Sequence, residues 1–277
     1  MIVDTHCHLD DPRFDEDLEE VLARAREAGV RAFVIPGADV ATLEKARAIA
    51  EAHDDVFYAA GVHPYDLEGY DEALLERHLA HPKCVAVGEC GLDYYRLPEE
   101  EGERHEEIAA QKRVFGAQIE LAKRTGKPLI VHIRDASADA MEMLLEHGAG
   151  EVGGVLHCYN ADEQLLKLSD HGFYYGIGGV LTFKNAKKLP HVLPKIPKER
   201  LVVETDAPYL TPHPYRGKRN EPAYTVHVVR KMADLLEMPF DEVAETTTRN
   251  ALRLFPPLAA ADGIMEPVEG SVETTER

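Results

Sequence analysis

Positive charge is scarce in this sequence. Its 277 residues include 31 lysines and arginines against 50 aspartates and glutamates, and the formal net charge is -19. Proteins that coat duplex DNA do so through a broad basic face. The shortage of cations excludes that class, so any contact with nucleic acid must be local, through a bound cation or a small basic cluster.

Cysteines and long apolar runs are scarce as well. The four cysteines form no CxxC pair and lack the spacing of a small disulfide scaffold, so we expect reduced thiols. No apolar run approaches the ~20 residues that span a bilayer. The start also lacks a basic segment followed by an apolar one. We therefore expect a cytoplasmic protein with no membrane contact, and no obligate protein partner is evident.

Short apolar, β-branched runs alternate with helical patterns along the chain. Eight of these runs predict strands, at 2–8, 31–37, 56–64, 85–93, 128–134, 153–159, 173–179 and 201–210. Apolar strands separated by helices indicate a parallel sheet covered by helices. Eight strands favour a single (β/α)8 TIM barrel of the α/β class, with an open doubly wound sheet as the alternative. The dinucleotide-binding version of that sheet has no support, because no GxGxxG follows the first strand.

The helical patterns define the expected domain. The pattern over 15–29 has apolar residues at helical spacing and ends at Gly29, and the pattern over 105–126 also ends at a glycine. Two closing helices are predicted over 225–238 and 240–255. We therefore expect one barrel domain over residues 1–257, followed by an acidic, weakly patterned and flexible tail over 258–277.

Ionisable residues lie at the ends of five predicted strands. His6 and His8 are two positions apart and point to the same side of the first strand, whereas Cys7 points to the other side. Four further groups end the fourth, fifth, sixth and eighth strands: Glu89, His132, His157 and Asp206. In a barrel these strand ends meet at the face where active sites are built.

A metal site is the interpretation that explains this convergence. A lone histidine at a strand end is more often a core or rim residue, and a lone carboxylate is commonly a helix N-cap. Six ionisable groups at one barrel mouth would repel one another or leave polar atoms unpaired without a cation. They also exceed the needs of one ion, which predicts two divalent metal ions bridged by Glu89. Mg²⁺, Mn²⁺, Zn²⁺, Fe²⁺ and Co²⁺ all fit this mixed donor set.

The chain resembles the TatD family of metal-dependent deoxyribonucleases and hydrolases, in the amidohydrolase-like barrel superfamily. Seven stretches carry the resemblance, in family order: DTHCHLD (4–10), GVHPY (61–65), VGECGLDYY (87–95), VHIRDA (131–136), LHCY (156–159), ETDAPYL (204–210) and RGKRNEPAY (216–224). The resemblance implies phosphodiester cleavage, often as a 3′-5′ exonuclease on single-stranded DNA or RNA ends.

The resemblance also divides the ligands between the two ions. It implies that one metal is held by His6, His8 and Asp206 and the other by His132 and His157, with Glu89 as the bridge. Glu89 and Asp206 are thus the expected catalytic residues. Asp206 lies beside the metal-activated water and is our candidate general base, the alternative being ligation alone. Glu204 is expected to support a ligand rather than to catalyse.

Four further residues are predicted to contact substrate. His63 ends the third strand and is assigned to phosphate, with a structural rim histidine as the alternative. Arg216, Lys218 and Arg219 follow the eighth strand in a loop rich in proline and glycine, and arginine suits phosphate oxygens. The alternative is a solvated charged loop. Three tyrosines are candidates for base stacking or for rim packing: Tyr65, Tyr94 and Tyr95.

Two other functions compete with a nuclease. The metal site is compatible with hydrolysis of an aminoacyl ester on tRNA, an amide or a phosphotriester, which the acidic composition favours and the basic loop opposes. A catalytically idle scaffold is the third hypothesis, and the presence of every expected ligand opposes it.

Overall fold

Eight parallel strands form one sheet, in which the spatial order of the strands is their order in the chain. The structure is a computed structural model that describes residues 1–261 and residue 264. Strands β1 to β8 span Ile2–Asp4, Val30–Ile35, Val56–Ala60, Cys84–Asp93, Leu129–Arg134, Gly154–Leu156, Phe173–Ile177 and Leu201–Val203. The first and last strands are joined by backbone hydrogen bonds, from Thr5 to Val203 at 3.1 Å and from Asp206 to His6 at 2.8 Å. The sheet thus closes on itself, which confirms the predicted barrel.

Helices surround the strands. Helices α1 to α8 span Leu18–Glu27, Leu43–Ala52, Glu72–Leu79, Glu101–Thr125, Ser137–Glu146, Lys188–Val192, Thr225–Leu236 and Phe240–Leu254. Shorter 3₁₀ helices span Pro12–Phe14, Val40–Thr42, Leu67–Gly69, Ala149–Glu151, Gly179–Thr182, Leu193–Lys195, Lys198–Arg200, Pro222–Tyr224 and Pro256–Ala260. The helical pattern after β6 forms a nine-residue 3₁₀ helix, Glu163–His171. Among the described residues, no helix has the length and apolar character needed to cross a membrane.

Local sequence sets the bounds of the longest helix. The side chain of Glu100 accepts a hydrogen bond from the backbone N–H of Glu103 at 2.7 Å and so caps the start of α4. The helix therefore begins at Glu101, four residues before the predicted start. It ends at Thr125 and is capped by Gly126, whose φ of 64° is left-handed and suits glycine. The predicted glycine terminus is confirmed.

The apolar side chains of the strands belong to two clusters, because successive side chains of a strand point to opposite faces of the sheet. Ile2, Phe33 and Ile35 face the surrounding helices, whereas neighbouring residues such as Val3 and Val34 fill the barrel interior. A packed interior leaves the C-terminal ends of the strands as the place where polar side chains can converge.

The end of the described chain packs against the barrel. Leu258, Ala261 and Ile264 are buried in the interior cluster. The domain boundary expected after residue 257 therefore falls within the 3₁₀ helix Pro256–Ala260. The remainder of the expected tail, residues 262, 263 and 265–277, lies outside the described residues.

Candidate metal centre

The structure brings the six expected ligands together around Glu89, whose side chain is 4% exposed. Its Oε2 lies 3.3 Å from Nε2 of His6 and 4.0 Å from Nε2 of His8. Its Oε1 lies 2.9 Å from Nδ1 of His132 and 3.8 Å from Nε2 of His157. The two oxygens of one carboxylate therefore face two different sets of imidazoles, as a bridging ligand requires.

Asp206 adds a second carboxylate on the side of His6 and His8. Its Oδ1 lies 3.3 Å from Nε2 of His8, 3.7 Å from Nε2 of His6 and 3.8 Å from Nε2 of His157. The rings of His6 and His157 are stacked, with 3.4 Å between their centroids. His157 thus lies between the two sets of donors.

The donors form three groups whose atoms are close enough to share an ion: His6 with His8 and Asp206, His6 with Glu89 and His157, and His63 with Glu89 and His132. The third group contains His63, which the sequence analysis assigns to phosphate. Nε2 of His63 lies 3.7 Å from Oε1 of Glu89. The structure therefore places this imidazole beside the expected bridging ligand.

The chemistry of the donors fits divalent cations. Nε2 of His132 lies 2.9 Å from Oδ2 of Asp93, and Nδ1 of His157 lies 3.0 Å from Oε1 of Glu204. An imidazole that carries its proton on the outer nitrogen presents a lone pair from the inner nitrogen. The inner nitrogens are Nδ1 of His132 and Nε2 of His157, which lie 2.9 and 3.8 Å from Oε1 of Glu89. In neutral rings whose protons face Asp93 and Glu204, these two nitrogens would present lone pairs to the centre.

Asp93 is a site residue that the sequence analysis missed. Its side chain is 1% exposed, and its Oδ1 accepts a hydrogen bond from the backbone N–H of Tyr95 at 2.9 Å. The signal that could have found it is its even spacing from Glu89 on one strand, the same alternation that pairs His6 with His8. A buried carboxylate held in this way orients the ring of its histidine neighbour.

Replacing Asp93 by asparagine is expected to weaken metal binding by about 10- to 100-fold, because the outer nitrogen of His132 loses its charged acceptor. Titration of the metal-free chain with Mn²⁺ or Zn²⁺ measures the effect. The matched control is Asp139→Asn, which changes a carboxylate that binds Tyr94 and Lys112. Equal metal affinities in the two variants would contradict an orienting role for Asp93.

Buried charges set the protonation of the centre. Burial raises the pKa of Glu89, but His157 and His6 outweigh that effect and hold this pKa well below its usual range. Burial lowers the pKa of His157, but Glu204 and Glu89 raise it to about 10. At neutral pH Glu89 is therefore an anion, and the His157 ring is a cation protonated on both nitrogens. A bound metal would take the place of the proton on Nε2.

Metal binding to the metal-free chain at pH 7 is expected to release at least one proton, because a ligating His157 must be neutral. The pKa values of His8 and His132 are raised as well, by hydrogen bonds to Asp206 and Asp93 that outweigh burial, so these rings can add to the release. Since the pKa of His157 lies at about 10, metal affinity should rise with pH by up to about tenfold per unit for each proton released. Calorimetry in buffers of different ionisation enthalpy counts the protons. The variant Glu204→Gln should release fewer, because the main charge that favours the protonated ring is gone. Metal uptake with no proton release by the unmodified chain would contradict this prediction.

Two residues at the centre have strained backbone conformations. Asp206 has a φ of 58° and Cys158, next to His157, has a φ of 44°. Left-handed conformations of residues other than glycine cost about 1–3 kcal/mol and are concentrated at functional sites. The Asp206 N–H donates to the His6 carbonyl and its own carbonyl accepts from Tyr209, each at 2.8 Å. These bonds hold the Asp206 carboxylate against the first strand.

The predicted cationic loop contacts the protein itself. Arg219 donates to both carboxylate oxygens of Asp17, at 2.8 and 2.6 Å. The guanidinium of Arg216 lies 3.9 Å from the ring centroid of Phe183, and Lys218 is exposed. Their contact with substrate stays a prediction.

The tyrosines near the mouth differ in exposure. Tyr65 and Tyr95 are 44% and 58% exposed, whereas Tyr94 is partly buried and its hydroxyl donates to Asp139 at 2.7 Å. Tyr209, which the sequence analysis did not select, is 46% exposed and has its ring 5.8 Å from that of His8. Of the three tyrosines selected, Tyr65 and Tyr95 are exposed, but Arg96 and Arg134 lie 5.1 and 3.5 Å from their respective ring centroids. Base stacking by these rings stays a prediction.

A cavity of about 920 Å³ opens beside the donors. Its lining includes His132, His157 and Asp206, and it continues over the loops that follow β5, β6 and β7. Its volume lies at the upper end of the range of about 300–1,000 Å³ that is usual for ligand sites. The donors are therefore reachable from solvent through a space that holds a substantial ligand.

Comparisons with known proteins agree on one family. The family model described as TatD related DNase matches residues 3–256. The chain is 44% identical over 261 residues to a protein of Bacillus subtilis named as the uncharacterized metal-dependent hydrolase YabD, with 92% of this chain and 99% of that protein covered. It is 35% identical over 265 residues to the 3'-5' ssDNA/RNA exonuclease TatD of Pectobacterium carotovorum, with 91% and 98% covered.

A solved structure shows the same fold. The crystal structure of YJJV, a TatD homologue from Escherichia coli, superposes with a TM-score of 0.84 at 31% sequence identity, and the match covers 92% of this chain and 98% of that one.

Proposed function

This chain belongs to the TatD related DNase family of metal-dependent hydrolases, and on that premise we propose that it cleaves phosphodiester bonds at the 3′ ends of single-stranded DNA or RNA. A relative of this length that is named as a 3'-5' ssDNA/RNA exonuclease supports the proposal. The observation that carries it is the bridging position of Glu89, whose two oxygens face separate sets of imidazoles.

The proposed ligands are the expected ones. His6, His8 and Asp206 would hold one ion and His132 and His157 the other, with Glu89 between them. The donor atoms of His63 and His132 are grouped with Glu89, whereas those of His157 are grouped with Glu89 and His6. When bound, two divalent cations would acidify a water molecule and neutralise the charge that develops on the phosphate. The hydrogen bond with Asp93 fixes the His132 ring from behind, and Glu204 lies 3.0 Å from Nδ1 of His157. These carboxylates favour ring orientations that need little rearrangement to bind a metal.

Asp206 is the proposed general base. Burial raises the pKa of its carboxyl, but the hydrogen bond from His8 and the charges of His157 and His8 outweigh burial and lower this pKa. The carboxylate is therefore ionised at neutral pH and can take a proton from the attacking water. Its position on the cavity lining places it where substrate and water meet.

Digestion of end-labelled single strands tests the proposal. The purified chain is incubated with Mg²⁺, Mn²⁺ or Zn²⁺ and with oligonucleotides labelled at the 3′ or the 5′ end. Early release of the 3′ label is the expected result. Loss of the 5′ label first would contradict the polarity, and no release with any metal would contradict the nuclease. Hydrolysis of aminoacyl-tRNA, an amide or a phosphotriester in parallel assays would instead support the alternative.

A further inference from the structure

Three lysines close to the large cavity have no part in the metal centre. Lys184, Lys187 and Lys188 lie in the stretch FKNAKK (183–188), which leads from β7 into α6. All three side chains are exposed. Lys188 lines the same cavity as Asp206, and Lys187 lines a smaller cavity beside it. Lys184 lines neither cavity and precedes the other two in the same exposed stretch.

These lysines form no close ion pair, although Lys188 is near enough to Asp162 for its charge to help lower the pKa of that carboxyl against the effect of burial. Within residues 1–261, no carboxylate oxygen lies within 4.0 Å of any of the three ammonium groups. The nearby Lys195, in contrast, forms an ion pair with Glu163 at 2.7 Å. In a chain with 50 acidic and 31 basic residues, three unpaired cations within five positions create a local positive field.

A second cavity adjoins the large one at the lysine stretch. It has a volume of about 310 Å³ and is lined by Lys187 and Lys188, among others. Asn160 and Lys188 line both cavities, so the two spaces adjoin. A chain of nucleotides that begins at the donors can therefore continue along the lysines.

The carboxylates that line the large cavity favour the same path for a nucleotide chain. Its acidic lining includes Asp135, Asp162 and Glu163. Asp162 accepts from Gln164 and Glu163 is paired, but both remain anionic groups that repel phosphate. A polyanionic strand lowers its electrostatic energy by lying against the lysines and away from these carboxylates.

We propose that Lys184, Lys187 and Lys188 bind the phosphate backbone of the single strand, at nucleotides adjoining the bond that is cleaved. The inference rests on the proposed function and adds the path of the substrate. It differs from the expectation based on the loop after β8. Arg216, Lys218 and Arg219 line neither cavity, whereas Lys187 and Lys188 of the lysine stretch do. Exposed lysines bind backbone phosphates as point charges and without sequence preference.

The experiment compares binding of a decathymidylate with phosphorothioate linkages, which resist cleavage, by fluorescence anisotropy. The triple variant K184Q/K187Q/K188Q is expected to raise Kd about tenfold or more at 0.1 M salt. The slope of log K against log salt should fall in magnitude by about 2, because three phosphate contacts on a single strand are lost. The ratio of kcat/KM for a decamer to that for a dinucleotide should fall as well, since only the longer chain reaches the lysines.

Two further variants separate this inference from general electrostatics. K167Q/K198Q/R253Q removes the same charge from exposed residues outside both cavities and should change Kd less than twofold. Equal losses in this control and in the lysine variant would overturn the inference, and so would a loss confined to R216Q/K218Q. If the unmodified chain neither binds nor cleaves single strands, the proposed function itself fails. If it does both, and the lysine variant binds normally, only the path along the lysines fails.

Discussion

Replacing Glu89 by glutamine is expected to lower kcat/KM for single-stranded oligonucleotides by at least about 10³-fold, because loss of metal removes several kcal/mol of transition-state stabilisation. Glu89 is within 4.0 Å of His6, His8, His132 and His157. Among the described residues it is the one carboxylate that lies within this distance of both His8 and His132. Glutamine keeps the size of the side chain and removes the negative charge. Activity and metal content are measured on the same preparation.

A readout other than activity separates metal loss from misfolding. A metal at 100 times its Kd stabilises the folded chain by about 2.7 kcal/mol, which raises Tm. Adding Mn²⁺ should raise the Tm of the unmodified chain and leave that of Glu89→Gln nearly constant. Glu199→Gln, at an exposed position before β8, is the matched control and should behave like the unmodified chain. A Glu89→Gln variant that keeps both metal and activity would refute the bridging role.

Replacing Asp206 by asparagine is expected to lower kcat by about 10²- to 10⁴-fold, the usual contribution of a general base. Asparagine retains an oxygen that can ligate but cannot take up a proton. Because the pKa of Asp206 is lowered, the base is ionised at neutral pH, and activity of the unmodified chain falls as acid protonates it. The variant should lack this part of the acid limb in its pH–rate profile.

Metal content decides between the two roles of Asp206. As a base it is expected to leave most of the metal bound after substitution, through the four imidazoles and Glu89. Asp206→Glu, which keeps the charge, should recover part of kcat. If metal content and kcat fell in parallel in Asp206→Asn, and the pH–rate profile kept its shape, ligation alone would explain the residue.

Much of the fold could be predicted from local sequence. The strands of a barrel are buried on both faces and read as short apolar runs, and helix ends are signalled by residues such as Gly126. The pattern after β6 was less informative, because apolar spacing does not distinguish an α-helix from the 3₁₀ helix Glu163–His171. The start of α4 was placed late, since its cap is a glutamate rather than a more usual capping residue.

From the sequence alone, the candidate site could be predicted in the types of its residues but not in the contacts between them. Histidines and carboxylates at strand ends indicate a metal because barrel closure brings strand ends together. Asp93 was missed because its partner, His132, is 39 positions away in the chain. The partner of Arg219 was hidden for the same reason, since Asp17 is 202 positions away.

The sequence by itself determined that His6 and His8 share one side of the first extended segment, because residues two positions apart in an extended chain point the same way. It thereby placed His6 and His8 together and left Cys7, which is buried in the cluster facing the helices, outside the site. Only the tertiary structure decided which oxygen of Glu89 faces which imidazoles and which cations remain unpaired beside the cavity. Those properties are distances between residues far apart in the chain, and the closure of the barrel is what sets them.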